Sequence, residues 1–405
     1  MTRDPSAARA VDGVEVAILG GGPVGCVLAL ALHALGRRCV LLERRTLGSA
    51  PHAALAARPL ALSHATRLIL ERLGAWPDSR ATTIETIHVS QAGVFGRTRL
   101  AAREAGVPAL GYVIAYSDLL AALHAKLAAS GMDLRRGVRG RAGRARDGAI
   151  EIQVADGAEA TRAPGLAAST DSARDAFSVR CAVHAEGSDE EAPAKTYRQE
   201  AISAMLDVAP MAARTAFERF TPEGPLALLP MAGRYALVWS ARPERARQLQ
   251  EAPEPAFLNE LRSVIGSRAG RLLGVGERLR FPLAQRRRAM PIGERAVYIG
   301  NSAQTLHPVA GQGLNLGVRD AWELAALLGE AHDPGEADLL RRYAARRRFD
   351  AHATSLTTDL LATRFAGSNA PLRGVAGLAL AALDMMPGAR RFFARRMIYG
   401  MRALP

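Results

Sequence analysis

Two glycine-rich segments contain the residue types that could bind a phosphorylated cofactor. The first, GGGPVG from Gly20 to Gly25, follows a G-x-G-x-x-G pattern, which permits a tight turn and close backbone approach to a pyrophosphate. The second, GNSAQTLHPVAGQGLNLGVRD, runs from Gly300 to Asp320 and is almost uncharged until its end. At the start of a helix, the backbone N–H groups of either segment would face a negatively charged group.

The elements around the first segment would position it as a dinucleotide-binding loop. An apolar run over residues 14–19 precedes it, an Ala- and Leu-rich helical pattern covers 26–35, and a second apolar run over 38–43 ends in Glu43. Together they form one unit of about 30 residues, in which Glu43 would accept hydrogen bonds from a ribose. A carboxylate there favours an unphosphorylated ribose, and both FAD and NAD remain possible for this loop.

The second segment, like the first, follows an apolar run and leads into a helical pattern. Residues 296–299 are apolar, His307-Pro308 predicts a turn, and the apolar spacing over 315–328 predicts a helix. FAD is longer than NAD, and its isoalloxazine ring needs a site apart from the one for its adenosine and pyrophosphate. We therefore expect the second loop to bind the ring end of FAD, with its backbone N–H groups at the flavin N1–C2=O edge. The alternative is a glycine-rich helix start without a ligand.

The chain resembles the FAD-dependent aromatic hydroxylases with the p-hydroxybenzoate-hydroxylase fold. Within them it is most similar to the ubiquinone-biosynthesis branch, of the 2-polyprenyl-6-methoxyphenol hydroxylase type. The resemblance covers nearly the whole chain. Besides the two glycine loops, it rests on RPLALS (58–63), TIHVS (86–90), FGRT (95–98) and FTPEGPLALLP (220–230). The last of these and the second glycine loop are the most specific to that branch.

The resemblance and the hydrophobic patterning together predict an α/β protein, α+β overall. A Rossmann-like FAD/NAD(P)-binding domain would be interleaved with a mixed-sheet substrate domain and followed by a C-terminal helical tail. We expect the FAD-binding domain over 1–75, 101–190 and 284–350, the substrate domain over 76–100 and 191–283, and the helical region over 351–405. Helical patterns also cover 112–129 and 256–265, the latter as the one helix of 201–283. A buried strand is expected over 179–187, and a loop over 156–175.

The resemblance also implies individual cofactor-binding residues. Asn301 stands where the family often has an Asp that binds the ribityl chain, and Pro308 and Gly311 would lie near the reactive edge of the flavin. No catalytic base and no metal ligand is assigned. The expected cofactor-binding set is Gly20, Gly22, Pro23, Gly25, Glu43, Arg58, Glu186, Asn301, Pro308, Gly311, Gly313, Leu314 and Asn315.

A third family motif, usually Asp-Gly followed by Ser and Arg, matches Ala185-Glu186-Gly187-Ser188. In the family this motif contacts both FAD and the NADPH pyrophosphate. Here the acidic run Asp189-Glu190-Glu191 follows, where basic residues are common, and it would repel a pyrophosphate. We therefore do not expect NADPH to dock directly on this run; the alternative is an exposed acidic loop.

The activity implied by the resemblance is hydroxylation of the ring of a polyprenylated phenol in ubiquinone biosynthesis. The enzyme would use FAD, with NAD(P)H and O₂ as co-substrates, through a C4a-hydroperoxyflavin. Two alternatives stay open: hydroxylation of a soluble aromatic substrate, and a non-catalytic flavin-binding scaffold in a biosynthetic complex. A flavin halogenase is not favoured, because neither Lys126 nor Lys195 has the expected context and the three tryptophans are isolated.

Composition restricts the partners and the location. The 405 residues have a formal net charge of +14, almost all of it from arginine. This reflects either genomic base composition or an affinity for an anionic membrane surface or acidic partners, and no motif for nucleic-acid recognition accompanies it. The first twelve residues are not a secretory signal, and the three cysteines are dispersed, which together indicate a cytoplasmic protein. No uncharged apolar run reaches the length of a transmembrane span.

The C-terminal tail suggests where membrane contact could occur. Apolar and arginine residues interleave at near-helical spacing over 378–399. This pattern is typical either of a helix that packs on its own core or of one that lies on a surface. In the second case the surface would be the inner face of the cell membrane or a ubiquinone-biosynthesis complex. The sequence leaves the oligomeric state open.

Overall fold

The structure is a computed structural model, which describes residues 13–46, 53–56, 58–156, 175–187, 194–306, 311–360 and 370–400. Three features predicted from the sequence lie outside these ranges. They are residues 157–174 of the expected loop, Ser188 with the acidic run 189–191, and His307-Pro308, which includes the expected flavin-edge residue Pro308.

The strands and helices are numbered in chain order. The strands are β1 (Val16–Leu19), β2 (Cys39–Glu43), β3 (Pro59–Ser63), β4 (Thr82–Ile84), β5 (Thr86–Gln91), β6 (Arg97–Ala101), β7 (Gly111–Ala115), β8 (Asp133–Arg136), β9 (Val138–Arg146), β10 (Ala149–Asp156), β11 (Asp175–Val179), β12 (Cys181–His184), β13 (Ala194–Ala209), β14 (Thr215–Phe220), β15 (Pro225–Met231), β16 (Arg234–Ala241), β17 (Arg271–Val275), β18 (Leu279–Arg287), β19 (Ile292–Gly293), β20 (Ala296–Tyr298) and β21 (Gln304–Thr305). The helices are α1 (Pro23–Ala34), α2 (Ala53–Ala56), α3 (His64–Arg72), α4 (Ala102–Ala105), α5 (Tyr116–Ser130), α6 (Pro243–Glu251), α7 (Glu254–Ile265), α8 (Gln312–Glu330), α9 (Ala337–Leu360), α10 (Ala370–Met385) and α11 (Pro387–Tyr399).

A six-stranded sheet with the order β19-β20-β12-β1-β2-β8 forms the first half of the molecule. Its strands are parallel except for the antiparallel edge strand β19. All four residues of β1 and all five of β2 are buried, as is usual for parallel strands that are covered on both faces. The strand order reverses at β1, and ligands of such sheets bind at the carboxyl ends of the strands beside this reversal. The first glycine loop follows β1 directly at that point.

A nine-stranded, mostly antiparallel sheet forms the second half, in the order β21-β18-β13-β16-β15-β14-β5-β6, with β17 paired to β13. One face of this sheet packs against α6 and α7 around Phe257 and Trp239. The single helix expected in this stretch is therefore wrong, because two helices are present. Pro253 separates them: it cannot donate a hydrogen bond to the preceding turn, and Ala252 before it is extended, with φ −58° and ψ 142°.

A three-stranded sheet, β3-β7-β4, lies beside the other two and corrects another expectation. The helical pattern predicted from residue 112 begins only at Tyr116, because Gly111–Ala115 form β7. This strand pairs with β3 on one side and β4 on the other, so tertiary pairing overrides its local helical pattern. β4 joins this sheet, whereas β5 and β6 join the nine-stranded sheet. The predicted substrate segment 76–100 thus contributes to two sheets, and the domain boundaries remain a prediction.

The tail forms α10 and α11, which pack along the edge of the nine-stranded sheet. Ala394 and Ile398 of α11 are buried in a small core with Leu100 and Ala105. One face of the tail therefore packs on the protein itself. Within the described ranges, no helix is both long enough and apolar enough to cross a bilayer.

Candidate active site

A cavity of about 2260 Å³ lies between the six-stranded and the nine-stranded sheet. Its polar end contains the two glycine loops, and its other end consists of apolar residues from the nine-stranded sheet and the tail. Typical cavities for one small ligand have volumes of about 300–1,000 Å³, so this one has room for a long cofactor and a substrate together.

The first glycine loop is shaped by close packing around Gly20. This residue has φ +106°, and a Cβ atom on it would lie 2.6 Å from the Cα atom of Glu186. A Cβ atom on Gly25 would lie 2.0 Å from the carbonyl oxygen of Gly20, so α1 could not approach β1 with a larger residue there. At Gly22, in contrast, a Cβ atom would meet nothing within 4 Å, because the residue borders the cavity. The backbone at Gly22 is therefore open to a ligand.

Helix α1 begins at the cavity with a free N-terminus. Pro23 occupies its first turn, which contains no acidic residue, and no side chain caps it at Gly22. The positive end of the helix dipole and the free N–H groups of the first turn are thus available to an anionic group. This is the arrangement that a pyrophosphate requires.

Glu43 lies at the end of β2, buried beside the loop. Its Oε2 accepts a hydrogen bond from the Gly21 N–H at 2.7 Å, and its Oε1 accepts two from Arg45 at 2.9 and 3.0 Å. Burial by itself would raise the pKa of Glu43, but these hydrogen bonds from Arg45 and Gly21 outweigh it and lower the pKa below its usual value. The carboxylate is therefore ionised. Because a carboxylate has about four acceptor positions, one remains for a ribose hydroxyl.

The two glycine loops touch each other through Val24. A Cβ atom on Gly317 would lie 2.8 Å from Cγ2 of Val24, and one on Gly300 would lie 3.1 Å from the same atom. The starts of α1 and α8 are thereby brought side by side at the polar end of the cavity. A single long cofactor can contact both.

The second loop presents an open surface at Gly313. A Cβ atom there would meet no protein atom within 4 Å, and the residue borders the cavity together with Leu314. Gly311, before it, is the N-cap of α8 in a left-handed conformation, where a Cβ atom would lie 2.8 Å from that of Ala61. The first turn of α8 contains no acidic residue. The second loop, like the first, can accept a polar group of a cofactor at its backbone.

Asn315 holds this loop in place with its side chain. Its Oδ1 accepts hydrogen bonds from the Ser63 N–H at 2.8 Å and from Thr66 Oγ1 at 2.7 Å. Its Nδ2 donates to the carbonyl oxygens of Ala61 and Gly311 at 2.9 and 2.8 Å. The amide is thus fully used within the protein, and contact with a cofactor is left to the backbone of Asn315.

Three other expected residues also border the cavity. Arg58 and Asn301 are exposed on its surface, Arg58 directly before β3 and Asn301 in the short 3₁₀ helix Gly300–Ser302. Glu186 is exposed as well and lies 3.2 Å from Nδ1 of His184. The structure thus brings together all the expected cofactor-binding residues that it describes, and Pro308 lies outside the described ranges. The individual roles of these residues remain a proposal.

Sequence reasoning missed the positive charge around Glu43. Arg45 borders the cavity, and so do Arg139 and Arg141 on β9. Arg45 also interacts with the hydroxyl of Tyr116, whose pKa is raised by burial. The alternate spacing of Arg139 and Arg141 in one strand would have indicated that both lie on one face. These arginines make the polar end of the cavity attractive to a doubly charged pyrophosphate.

A buried charge network supports the second loop from behind. Asp320 of α8 lies 2.6 Å from Nε of Arg347 on α9, and its Oδ2 accepts a hydrogen bond from the Gly300 N–H at 3.4 Å. Burial opposes the charge of Arg347, but the nearby carboxylates of Asp320 and Glu323 raise its pKa above the usual range. Arg347 is therefore charged and fixes α8 relative to α9.

The geometry fits FAD on these observations. Two glycines leave open backbone at the start of two helices, an ionised acid lies beside the first of them, and arginines line the same cavity. The comparisons with known proteins agree. The model of the FAD binding domain family matches residues 13–357. The chain belongs to this family. FAD is therefore its cofactor, as predicted.

Two curated relatives match over nearly their whole length. Ubiquinone hydroxylase UbiL of Rhodospirillum rubrum is 31% identical over 96% of this chain and 92% of its own. The 3-demethoxyubiquinol 3-hydroxylase of Escherichia coli is also 31% identical, over 91% of this chain and 94% of its own.

Among solved structures, p-nitrophenol 4-monooxygenase of Pseudomonas putida superposes with a TM-score of 0.75 at 18% identity. The match covers 96% of this chain and 98% of that enzyme. This likeness shows the fold, and the predicted fold class is confirmed.

Proposed function

We propose that this protein is an FAD-dependent monooxygenase that hydroxylates the ring of a polyprenylated phenol in ubiquinone biosynthesis. The observation that carries the proposal is full-length similarity to two hydroxylases of ubiquinone precursors, each 31% identical over more than nine-tenths of this chain. NAD(P)H supplies the electrons and O₂ the oxygen atom. The bound FAD provides the redox chemistry and the oxygen transfer.

The residues of this chain bind the cofactor, orient the substrate and shield both from water. The starts of α1 and α8 hold the two ends of the cofactor through their backbone N–H groups, and Glu43 holds the ribose. The nine-stranded sheet covers the cavity on the opposite side and keeps water from the reacting groups. The residues of this sheet that line the cavity are mostly small or apolar: Ile87, Val89, Ala201, Ala216, Phe220, Ala227, Leu229, Val238, Phe281 and Leu283. Such a wall suits an aromatic ring with a hydrocarbon substituent.

The tail continues this apolar wall toward the molecular surface. Side chains from both α10 and α11 line the same cavity, namely Ala379, Leu380, Leu383, Phe393, Met397 and Ile398. A long prenyl chain therefore has an apolar path from the ring site to the tail. We propose that the prenyl chain leaves the cavity between α10 and α11.

The outer surface of the tail suits a lipid headgroup region. Met385 is 83% exposed and Phe392 is 70% exposed, and Phe95, which lies against α10 at Gly377, is 85% exposed. Arg391 and Arg395 are exposed on the same helix as Phe392. Apolar side chains with adjacent arginines are typical of helices that lie in an anionic membrane interface. We propose that this surface binds the membrane from which the substrate enters.

The direct test is turnover by the holoenzyme with NADPH, isotopically labelled O₂ and a short-chain 2-prenylphenol. We expect one labelled oxygen atom in the ring of the product, detected by mass spectrometry. Hydroxylation of phenols without a prenyl group, but not of prenylphenols, would favour a soluble aromatic substrate instead. Failure of NADPH or NADH to reduce the bound flavin under anaerobic conditions would contradict any monooxygenase function and favour a scaffold.

A further inference from the structure

One carboxyl group interrupts the apolar wall of the cavity. Glu218 lies in β14, where Ala216 and Phe220 alternate with it on the face toward the cavity. In the sheet register, Glu218 stands opposite Val89 of β5 on one side and Ala227 of β15 on the other. Opposite residues in neighbouring strands have Cβ atoms about 5 Å apart, so apolar side chains flank Glu218 in both directions across the sheet.

Glu218 has no partner among the residues that the structure describes. Its Oε1 is inaccessible to solvent and accepts no hydrogen bond. Two other acids of the same half of the molecule are paired: Glu223 with Arg242 at 2.7 Å, and Glu200 with Arg280 at 2.7 Å. Glu218 as a whole is half-buried, but a carboxyl oxygen buried without a partner costs free energy, so a purely structural role does not account for it.

No charged group compensates for the burial of Glu218. The neighbouring cavity-facing side chains are Ile87 and Val89 on β5, Thr98 and Leu100 on β6, Ala216 and Phe220 on β14, Pro225, Ala227 and Leu229 on β15, and Val238 and Ser240 on β16. None of these side chains titrates. Arg219, the next residue, instead donates from Nη1 to Ser90 Oγ at 3.1 Å. Desolvation alone raises the pKa of Glu218 to about 8.

We propose that Glu218 is the catalytic residue that binds the ring hydroxyl of the substrate and accepts its proton. This assignment rests on the proposed function, which supplies a phenol to this cavity. The O–H bond of the phenol breaks as the proton moves to a carboxylate oxygen of Glu218, and the electron pair stays on the phenolate. The phenolate ring is richer in electrons than the phenol and reacts more readily with an electrophilic oxygen. After ring hydroxylation, the proton returns to the oxygen of the product and restores the carboxylate.

The position of Glu218 explains why an acid is tolerated there. A phenol whose prenyl chain extends along the apolar wall toward the tail must place its only polar group somewhere in that wall. Among the cavity-facing residues in the described part of this sheet, Glu218 is the only acidic one. The substrate hydroxyl would thus satisfy the carboxyl group, and the carboxyl group would select arenes that carry a hydroxyl.

A pair of matched ligands tests this role. The probes are 2-geranylphenol and its methyl ether, which has the same shape but no ring hydroxyl, and binding to the holoenzyme is followed by flavin fluorescence. At a pH above about 8, where Glu218 is ionised, we expect Glu218→Gln to lower affinity for the phenol by about 10- to 100-fold, the effect of losing a hydrogen bond to a charged group, with little change for the ether. Glu218→Asp keeps the carboxyl group and is expected to keep the preference for the phenol.

Control measurements separate this role from a structural one. Glu223→Gln makes the same change outside the cavity and should leave both affinities unchanged. In the wild type, affinity for the phenol should rise as the pH increases through about 8, because Glu218 ionises and becomes a stronger acceptor for the ring hydroxyl, and Glu218→Gln should abolish this rise.

Two results would contradict these proposals in different ways. Equal losses of affinity for the phenol and the ether in Glu218→Gln, or no loss for either, would overturn the role of Glu218 alone. Absence of binding of both arenes to the wild type would overturn the proposed substrate class and, with it, the role of Glu218.

Discussion

The side-chain Oδ1 of Asn315 accepts a hydrogen bond from the backbone N–H of Ser63 at 2.8 Å. This bond joins the first turn of α8 to the end of β3, two segments that are 252 residues apart in the chain. The remaining bonds of the same amide, to Thr66, Ala61 and Gly311, close the second glycine loop against β3 and α3. The shape of this end of the cavity, where we propose that the flavin ring binds, thus depends on one side chain.

Asn315→Ala removes all four bonds and leaves the Ser63 N–H buried without a partner. Because each unsatisfied buried group costs about 1–3 kcal/mol, we expect the free energy of unfolding to fall by roughly 2–4 kcal/mol, and FAD affinity to fall with it. Urea denaturation of the holoenzyme measures the first effect. Asn259→Ala is the control, because Asn259 is exposed on α7 and should change stability little. Equal stability of Asn315→Ala and Asn259→Ala would contradict this structural role of the Asn315 side chain.

Gly313→Val tests whether the second loop binds the flavin. The cavity has room for the new side chain, since a Cβ atom at this position meets no protein atom within 4 Å. We therefore expect a folded apoprotein whose affinity for FAD is at least about tenfold lower, because the side chain occupies cofactor space. Circular dichroism checks the fold, and flavin titration checks the affinity. Gly388→Val, at an equally open position outside the cavity, should bind FAD normally. Normal FAD binding by Gly313→Val would exclude this loop as the ring site.

Glu43→Ala should weaken FAD binding by about 1–3 kcal/mol, because the ribose loses a charged acceptor. The change also leaves the Gly21 N–H and Arg45 without their acceptor, so the stability of the apoprotein must be measured beside the flavin titration. Glu43→Gln retains an acceptor oxygen and should have a smaller effect. Glu71→Ala, on the outside of α3, is the control. Unchanged FAD affinity in Glu43→Ala would show that Glu43 does not hold the ribose.

Stability should depend on pH through Glu218. Its pKa is raised from 4.5 to about 8 in the folded protein, so the folded state binds more protons than the unfolded state between these values. The stability of the wild type should therefore decline as the pH rises through this window, and Glu218→Gln should lack this part of the decline. The free energy of unfolding of the two proteins, compared at about pH 5 and about pH 9, gives the difference. We expect the free energy of unfolding of Glu218→Gln, relative to that of the wild type, to be higher at the higher pH than at the lower one. A constant difference would mean that Glu218 is not desolvated.

Membrane binding by the tail is best tested on its exposed face. Deletion of α11 would also expose the core around Ala394 and Ile398, so point substitutions are preferable. The double variant Met385→Ser, Phe392→Ser should float less with anionic liposomes than the wild type, because it loses the side chains that would enter the interface. Leu273→Ser changes an exposed leucine on β17 and should float normally. Equal flotation of all three proteins would remove the proposed membrane surface.

The sequence by itself determined the local units of the cofactor site. The loop from Gly20 to Gly25 and Glu43 could be predicted because their partners lie within one strand–helix–strand unit, and short-range spacing encodes that geometry. FAD as the cofactor followed from the second loop and from the family resemblance. Most predicted helices and strands near these loops exist, with bounds shifted by a few residues.

The tertiary structure alone decided which distant groups meet, and therefore which side chains are satisfied. Residues 112–115 have a helical pattern but form a strand, because β3 and β4 lie on either side of them. Asn315 is used by the protein rather than by a ligand, because Ser63 and Ala61 reach it from a remote segment. Glu218 is an ordinary acid in the sequence. It becomes an unpaired group with a pKa of about 8 only because strands far apart in the chain surround it with apolar side chains, and burial is a property of the whole fold.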